Sequence, residues 1–337
     1  MTGKTTEARS TAEPANSMSP LALGMLLLSL QLVFFWLTGA FSLVEGADFW
    51  LTPVQTIGSA LTLSTTTSFM VAVSRYLKQQ TGGAFDQLVA SGTVSRESAA
   101  SGMASLLSLT STQKTAAAVA GIFFAWLNVP WPLVIDDLEK PIAITSAGIA
   151  LGTVLVWLTV ALALTRRLVA SNSLRVLGRE HAKVDLLRMD GLLPFGRVGT
   201  LDLAMVLITL SFTAFQSLDA ELRWSSYRNS FIVGFPFAIG LLLSPMIGIR
   251  QNVRAAKHAA LEKLDAAIAL AERKLEAQPL HYLNDLLRHR TAIKSAREWP
   301  LDTTAFSRLA IYIVIPPIAW VGSAVADVLI QTAIAGG

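Results

Sequence analysis

Long apolar runs alternate along this chain with charged or Gly-, Pro- and Ser-containing segments. A helix that crosses the hydrocarbon core of a bilayer needs about 17–25 mostly apolar residues. Seven stretches approach or exceed that length: residues 21–44, 51–74, 115–135, 142–164, 200–218, 229–249 and 305–331. The pattern predicts an all-α polytopic membrane protein with about seven transmembrane helices. The first, fourth, sixth and seventh stretches are the strongest in apolar character. Asn128, Pro130 and Pro132 break the outer end of the third, and the fifth is short. The second contains "QTIGSALTLSTTTSF", residues 55–69, about half of it hydroxyl or amide.

The polar positions of that second stretch are periodic. Thr52, Gln55, Ser59, Thr62 and Thr66 are spaced 3, 4, 3 and 4, which places them on one helical face. Val54, Ile57 and Leu61 occupy the opposite side. Two readings fit a polar stripe inside a membrane. Ser and Thr allow close helix approach and bond across the contact or to their own carbonyls. Alternatively, the stripe lines a wet path. In the seventh stretch Ser323, Asp327 and Gln331 repeat every four residues toward the outer end, at the depth of Thr52 and Gln55. The polar path expected from these patterns is Thr52, Gln55, Ser59, Thr62, Thr66, Ser323 and Asp327. Asp327, about a turn from its span's outer end, also fits simple solvation at the interface. Asp202, near the inner end of the fifth span, reads the same way.

Charge tests the span assignment independently. With a cytoplasmic N-terminus and seven spans, 24 of the 27 Lys and Arg fall inside, and only Lys140, Arg223 and Arg228 fall outside. The outer loops carry Glu45, Asp48, Asp136, Asp137 and Glu139 instead. Retention of Lys and Arg on the cytoplasmic side produces this asymmetry. The expected location is a bacterial inner (plasma) membrane, with the C-terminus outside. Residues 1–19 form a polar tail expected to be disordered. The apolar run after it is longer than a usual signal-peptide core and reads as a signal anchor, although cleavage would leave the orientation unchanged.

The inner segments carry their own patterns. Residues 249–304 read as an antiparallel helical hairpin between the last two spans. Leu261, Leu264, Ile268, Ala271 and Leu275 form a short coiled-coil-like seam, broken at Pro279 and resumed by Leu283, Leu286, Leu287 and Ile293. Such a stalk offers a seam for a second copy of the chain or for a protein partner. In the loop 166–199, seven Lys and Arg mix with leucines and valines, as in basic helices that lie on anionic membrane surfaces. The loop 75–114 is Ser-, Ala- and Gly-rich and weakly patterned. Pro236, Pro245 and the pair Pro316–Pro317 are expected to bend their spans.

Composition narrows the chemistry. Hydrophobic residues make up 53% of the chain and charged residues 15%, too little polar surface for a soluble domain of 337 residues. There is no cysteine, hence no disulfide, thiolate metal site or cysteine nucleophile. Phosphate-loop, dinucleotide, zinc-hydrolase and serine-hydrolase motifs are absent from the sequence. His281, Asp285 and His289 recur every four residues but drift around the helix, so a solvated face is expected rather than a metal site. We therefore expect no enzyme, no cofactor, no metal and no nucleic-acid partner, with the lipid bilayer as the main partner. The functional expectation is a permeation or transport-type protein using polar faces of spans 2 and 7. The alternative is a non-enzymatic assembly or signalling module that acts through the hairpin.

Overall fold

A computed structural model describes residues 18–41, 54–129, 143–218, 224–273, 280–299 and scattered positions between 307 and 325. Among the described residues every element is helical. We number the helices α1 (Pro20–Leu37), α2 (Val54–Ala90), α3 (Arg96–Leu107), α4 (Ser111–Asn128), α5 (Ala143–Glu180), α6 (Leu193–Ser211), α7 (Trp224–Arg273) and α8 (Leu280–Ser295). Short 3-10 turns, Met189–Leu192 and Phe212–Leu218, flank α6.

Local signals explain several boundaries. Ser19 caps α1 by accepting from the Ala22 amide, and Pro20 starts the helix where its missing N–H costs nothing. Thr110 and Gln113 form a reciprocal capping box at the start of α4. α7 runs through both Pro236 and Pro245 and continues without a break into the charged segment beyond residue 250.

Among the described residues five helical stretches are long and apolar enough to cross a membrane: Pro20–Leu37, Thr56–Ala90, Ile144–His181, Met189–Gln216 and Ser230–Arg273. This is two fewer than the seven expected. The third expected span corresponds to α4, which opens on Ser111, Thr112, Gln113 and Lys114 and so falls short in apolar character. Its Val119, Ile122, Phe123 and Trp126 are nevertheless exposed, and α4 packs along α5. Residues 130–142 and most of 305–331, including the prolines at 316 and 317, lie outside the described residues.

These five helices differ in how deeply the protein itself buries them. In the most apolar window of α6, 72% of residues are buried, against 6% for α1. α6 is therefore the central helix and α1 a peripheral one. The core around α6 gathers Met70 and Leu77 of α2, Ala163 and Leu164 of α5, and Ala238 and Leu241 of α7. Tyr312 is partly buried against it. At the far end from the basic residues, hydroxyls tie helix ends together. Thr56 donates to the Ala40 carbonyl at 2.7 Å, and Thr145 to the Thr38 carbonyl at 2.6 Å.

The segments 75–114 and 166–199 differ from the expected surface loops. α2 continues through Ala90 and α5 through Glu180, well past their apolar halves. Together with α3, the start of α6 and the middle of α7 they enclose a second core. Phe85, Leu88, Leu174, Leu177, Phe195 and Ile249 are fully buried there. Leu174 and Leu177 face protein, whereas Leu168 and Leu187 stay exposed. The loop after α2 docks on this layer, because the Lys183 amide donates to the Thr93 carbonyl and the Thr93 hydroxyl to the Gly191 carbonyl. Asn252 donates to the carbonyls of Gly178 and Ala182, near the end of α5, where helical partners run out.

α7 and α8 pack against each other, with Ile268, Ala271 and Ile293 buried between them. Arg290 pairs with Asp265, and Lys257 donates to the Ala296 carbonyl. Leu287, grouped with the seam in the sequence, points outward at 44% exposure. A residue at the second of two adjacent leucines, 286 and 287, turns about 100° away from its neighbour.

Candidate functional site: a buried ion pair beside the polar face of α2

The inner face of α5 reads Ala163, Arg167, Ala170, Leu174 and Leu177, spaced 4, 3, 4 and 3. All five are buried. A guanidinium thus occupies a position that the helical period reserves for the interior. It is only 4% exposed, and Asp202 on α6 opposite it is 0% exposed. Arg167 Nε donates to Asp202 Oδ1 at 2.7 Å, and both terminal nitrogens donate to Thr81 Oγ1 of α2 at 3.1 Å. Thr81 in turn donates to the Leu77 carbonyl within its own helix. One ion pair and one hydroxyl therefore join α2, α5 and α6. Asp202 Oδ2 is buried and has no hydrogen-bond partner among the described residues.

This geometry corrects the reading of Asp202 as a residue solvated at the membrane boundary. The extended halves of α2 and α5 cover that end of α6 and remove the carboxylate from solvent. A desolvated ion pair holds together only when attraction and hydrogen bonds offset lost hydration. Here the guanidinium meets that demand with three contacts, while the carboxylate keeps one oxygen unpaired.

The polar face of α2 leads toward the pair. Thr62 and Thr66 are buried and Ser59 is half-buried. Thr62 donates to the Phe212 carbonyl at 3.2 Å, across to the turn that follows α6. Thr65 and Thr67 bond back to their own helix, to Leu61 and Leu63. Ser64 Oγ and Ser68 Oγ, between Thr62 and the basic end, are buried without a hydrogen-bond partner among the described residues. Thr52, Ser323 and Asp327 lie outside the described residues, as does the side chain of Gln55. The structure therefore brings Ser59, Thr62 and Thr66 onto one helix with Thr81, and the meeting of spans 2 and 7 falls outside what it describes.

Arg167 also forms part of the wall of a cavity of about 800 Å³. Arg75 and Lys78 of α2, Lys114 of α4 and Arg166 of α5 line the same cavity, with Leu23 of α1 and several apolar residues. The cations that follow or precede the apolar parts of three helices thus share one level of the bundle. The residues His281, Asp285 and His289 are all exposed. Among the described residues no group of three or more His, Cys, Asp or Glu could hold a metal ion.

No family model, curated protein or solved structure matches this chain. The apolar helices fit a membrane protein, and its function must be argued from the site itself.

Proposed function

We propose that the chain is a permeation or transport-type protein of a bacterial inner membrane. In this reading it crosses about seven times, with a cytoplasmic N-terminus, an outer C-terminus, and the α7–α8 pair on the cytoplasmic side. The charge asymmetry of the sequence and the gathering of cations at one end of the bundle support that orientation. The observation that carries the functional reading is the buried Arg167–Asp202 pair between membrane-length helices. Ionisable groups in such helices are costly and mark ion or substrate pathways by default. The polar face of α2, with Thr52, Gln55, Ser59, Thr62 and Thr66, supplies the rest of the path, and Ser323 and Asp327 its outer end. The reading assigns the chain no catalytic residue and no cofactor.

Membrane vesicles test it without knowledge of the solute. Ser59→Ala, Thr62→Val and Thr66→Val combined remove three hydroxyls of that face and add no bulk. Vesicles holding the native chain should dissipate an imposed gradient of at least one inorganic cation, anion or proton severalfold faster than vesicles holding the triple variant. Equal leakage across all of them would remove the permeation reading.

A second reading rests on a different observation. α7 has 50 residues, which at 1.5 Å each make roughly 75 Å, far more than a bilayer core. Its outer part and α8 expose Leu270, Tyr282 and Leu287. That favours an assembly or signalling module in which the helix pair meets a second copy or another protein.

A further inference from the structure

The cavity at the basic end carries more charge than the site described above uses. Asp202 compensates Arg167. Among the described residues Arg75, Lys78, Lys114 and Arg166 have no ion pair or hydrogen bond, and no described lining residue is Asp or Glu. Four cations from three helices thus converge on one concave space with no counter-charge among the described residues. They sit where the apolar halves of α2, α4 and α5 end. The lining also includes the apolar Leu23, Val71 and Leu162, and Val71 and Leu162 lie one helical turn from Arg75 and Arg166. A soluble anion would need the basic side alone. A lining that passes within one turn from basic to apolar fits a molecule with an anionic head and hydrocarbon chains.

We propose that this cavity binds the phosphate headgroup of an anionic phospholipid, with its acyl chains against the apolar part of the lining. Basic pockets between membrane helices suit such headgroups, because cations near the surface attract anionic lipid and the phosphate oxygens accept several charge-assisted hydrogen bonds. The Arg167–Asp202 pair holds α5 and α6 in register behind the cavity, so the site is preformed. A volume of about 800 Å³ accommodates a headgroup and the first part of its chains.

The test uses the full-length protein purified in neutral detergent, with bound lipid counted by native mass spectrometry. Phosphatidylglycerol should be retained and phosphatidylcholine lost. Arg75→Gln, Lys78→Gln, Lys114→Gln and Arg166→Gln together should weaken retention by at least roughly tenfold, since each cation near a lipid surface contributes on the order of 1 kcal/mol. A control that neutralises Lys263, Arg273 and Arg288, three exposed cations on α7 and α8, should retain lipid as the parent does. If the quadruple variant loses its helical circular dichroism, the two pairs Arg75/Lys78 and Lys114/Arg166 are neutralised separately, and each should weaken retention. Leu162→Trp, which fills the apolar part of the lining and leaves every cation in place, should also displace the lipid. Inorganic phosphate alone should not raise the melting temperature as phosphatidylglycerol does. Equal retention of both lipids, undiminished binding in the charge variants, or an equal effect of free phosphate would overturn the proposal.

Discussion

Asp202→Ala should lower the stability of the purified protein by about 3–5 kcal/mol, read as a fall in its thermal unfolding midpoint in detergent. The size follows from what remains. Arg167 would stay buried without its carboxylate, and removal of one partner of a buried pair leaves an uncompensated charge. Arg167→Leu should be costly for the mirror reason, because Asp202 would then have neither ion pair nor hydrogen bond. The double variant Arg167→Leu/Asp202→Leu removes both charges from the same space. Replacing a whole buried pair by apolar residues is often neutral or stabilising, so it should recover most of the loss. A double variant as unstable as the sum of the singles would show that the two residues do not meet.

Gly248→Ala should be nearly as damaging for a steric reason. A Cβ at position 248 would collide with the backbone carbonyl of Arg175, where α7 crosses α5. The blocking atom is backbone, so no side chain can rotate away. Gly178 lies against Ile249 in the same crossing, and the Asn252 bonds to α5 lie one turn on. Forcing the helices apart should cost about 1–3 kcal/mol by analogy with overpacked cores. Gly240→Ala is the internal comparison, because among the described residues nothing lies within 4 Å of its added Cβ. It should leave the melting temperature near that of the parent. Equal effects at 248 and 240 would contradict the close crossing.

The spanning helices were legible because a bilayer imposes a length and an apolar composition that few other environments demand. The stripe on α2 was legible for the same reason, as polar positions at helical spacing stand out in an apolar run. What lay beyond the apolar runs was harder. α2, α5 and α7 continue as single helices into a packed layer, but segments such as Lys78–Ala90 carry charges, glutamines and the pair Gly82–Gly83 that weaken the helical pattern. Depth within an apolar run was also a poor guide to burial. Asp202 lies near the end of its run, yet neighbouring helices overhang that end and bury it completely. Arg167 did leave a signal, since it falls in step with Ala163, Ala170 and Leu174 on the buried face of α5. That signal needs a partner before it carries weight, and the partner lies 35 residues away.

The central claim is that the polar face of α2 meets water and is not only a packing surface. Cysteine labelling along this helix tests it most directly, because the native chain contains no cysteine and contributes no background. Single cysteines at Gln55, Ser59, Thr62 and Thr66 should react with a membrane-impermeant thiol reagent in intact membranes, and those at Ile57 and Leu61 should stay protected. Reactivity with this 3–4 spacing is what one wet helical face produces. Protection at all six positions would contradict the claim, and the hydroxyls of α2 would then be helix-packing groups like that of Thr62 against the Phe212 carbonyl.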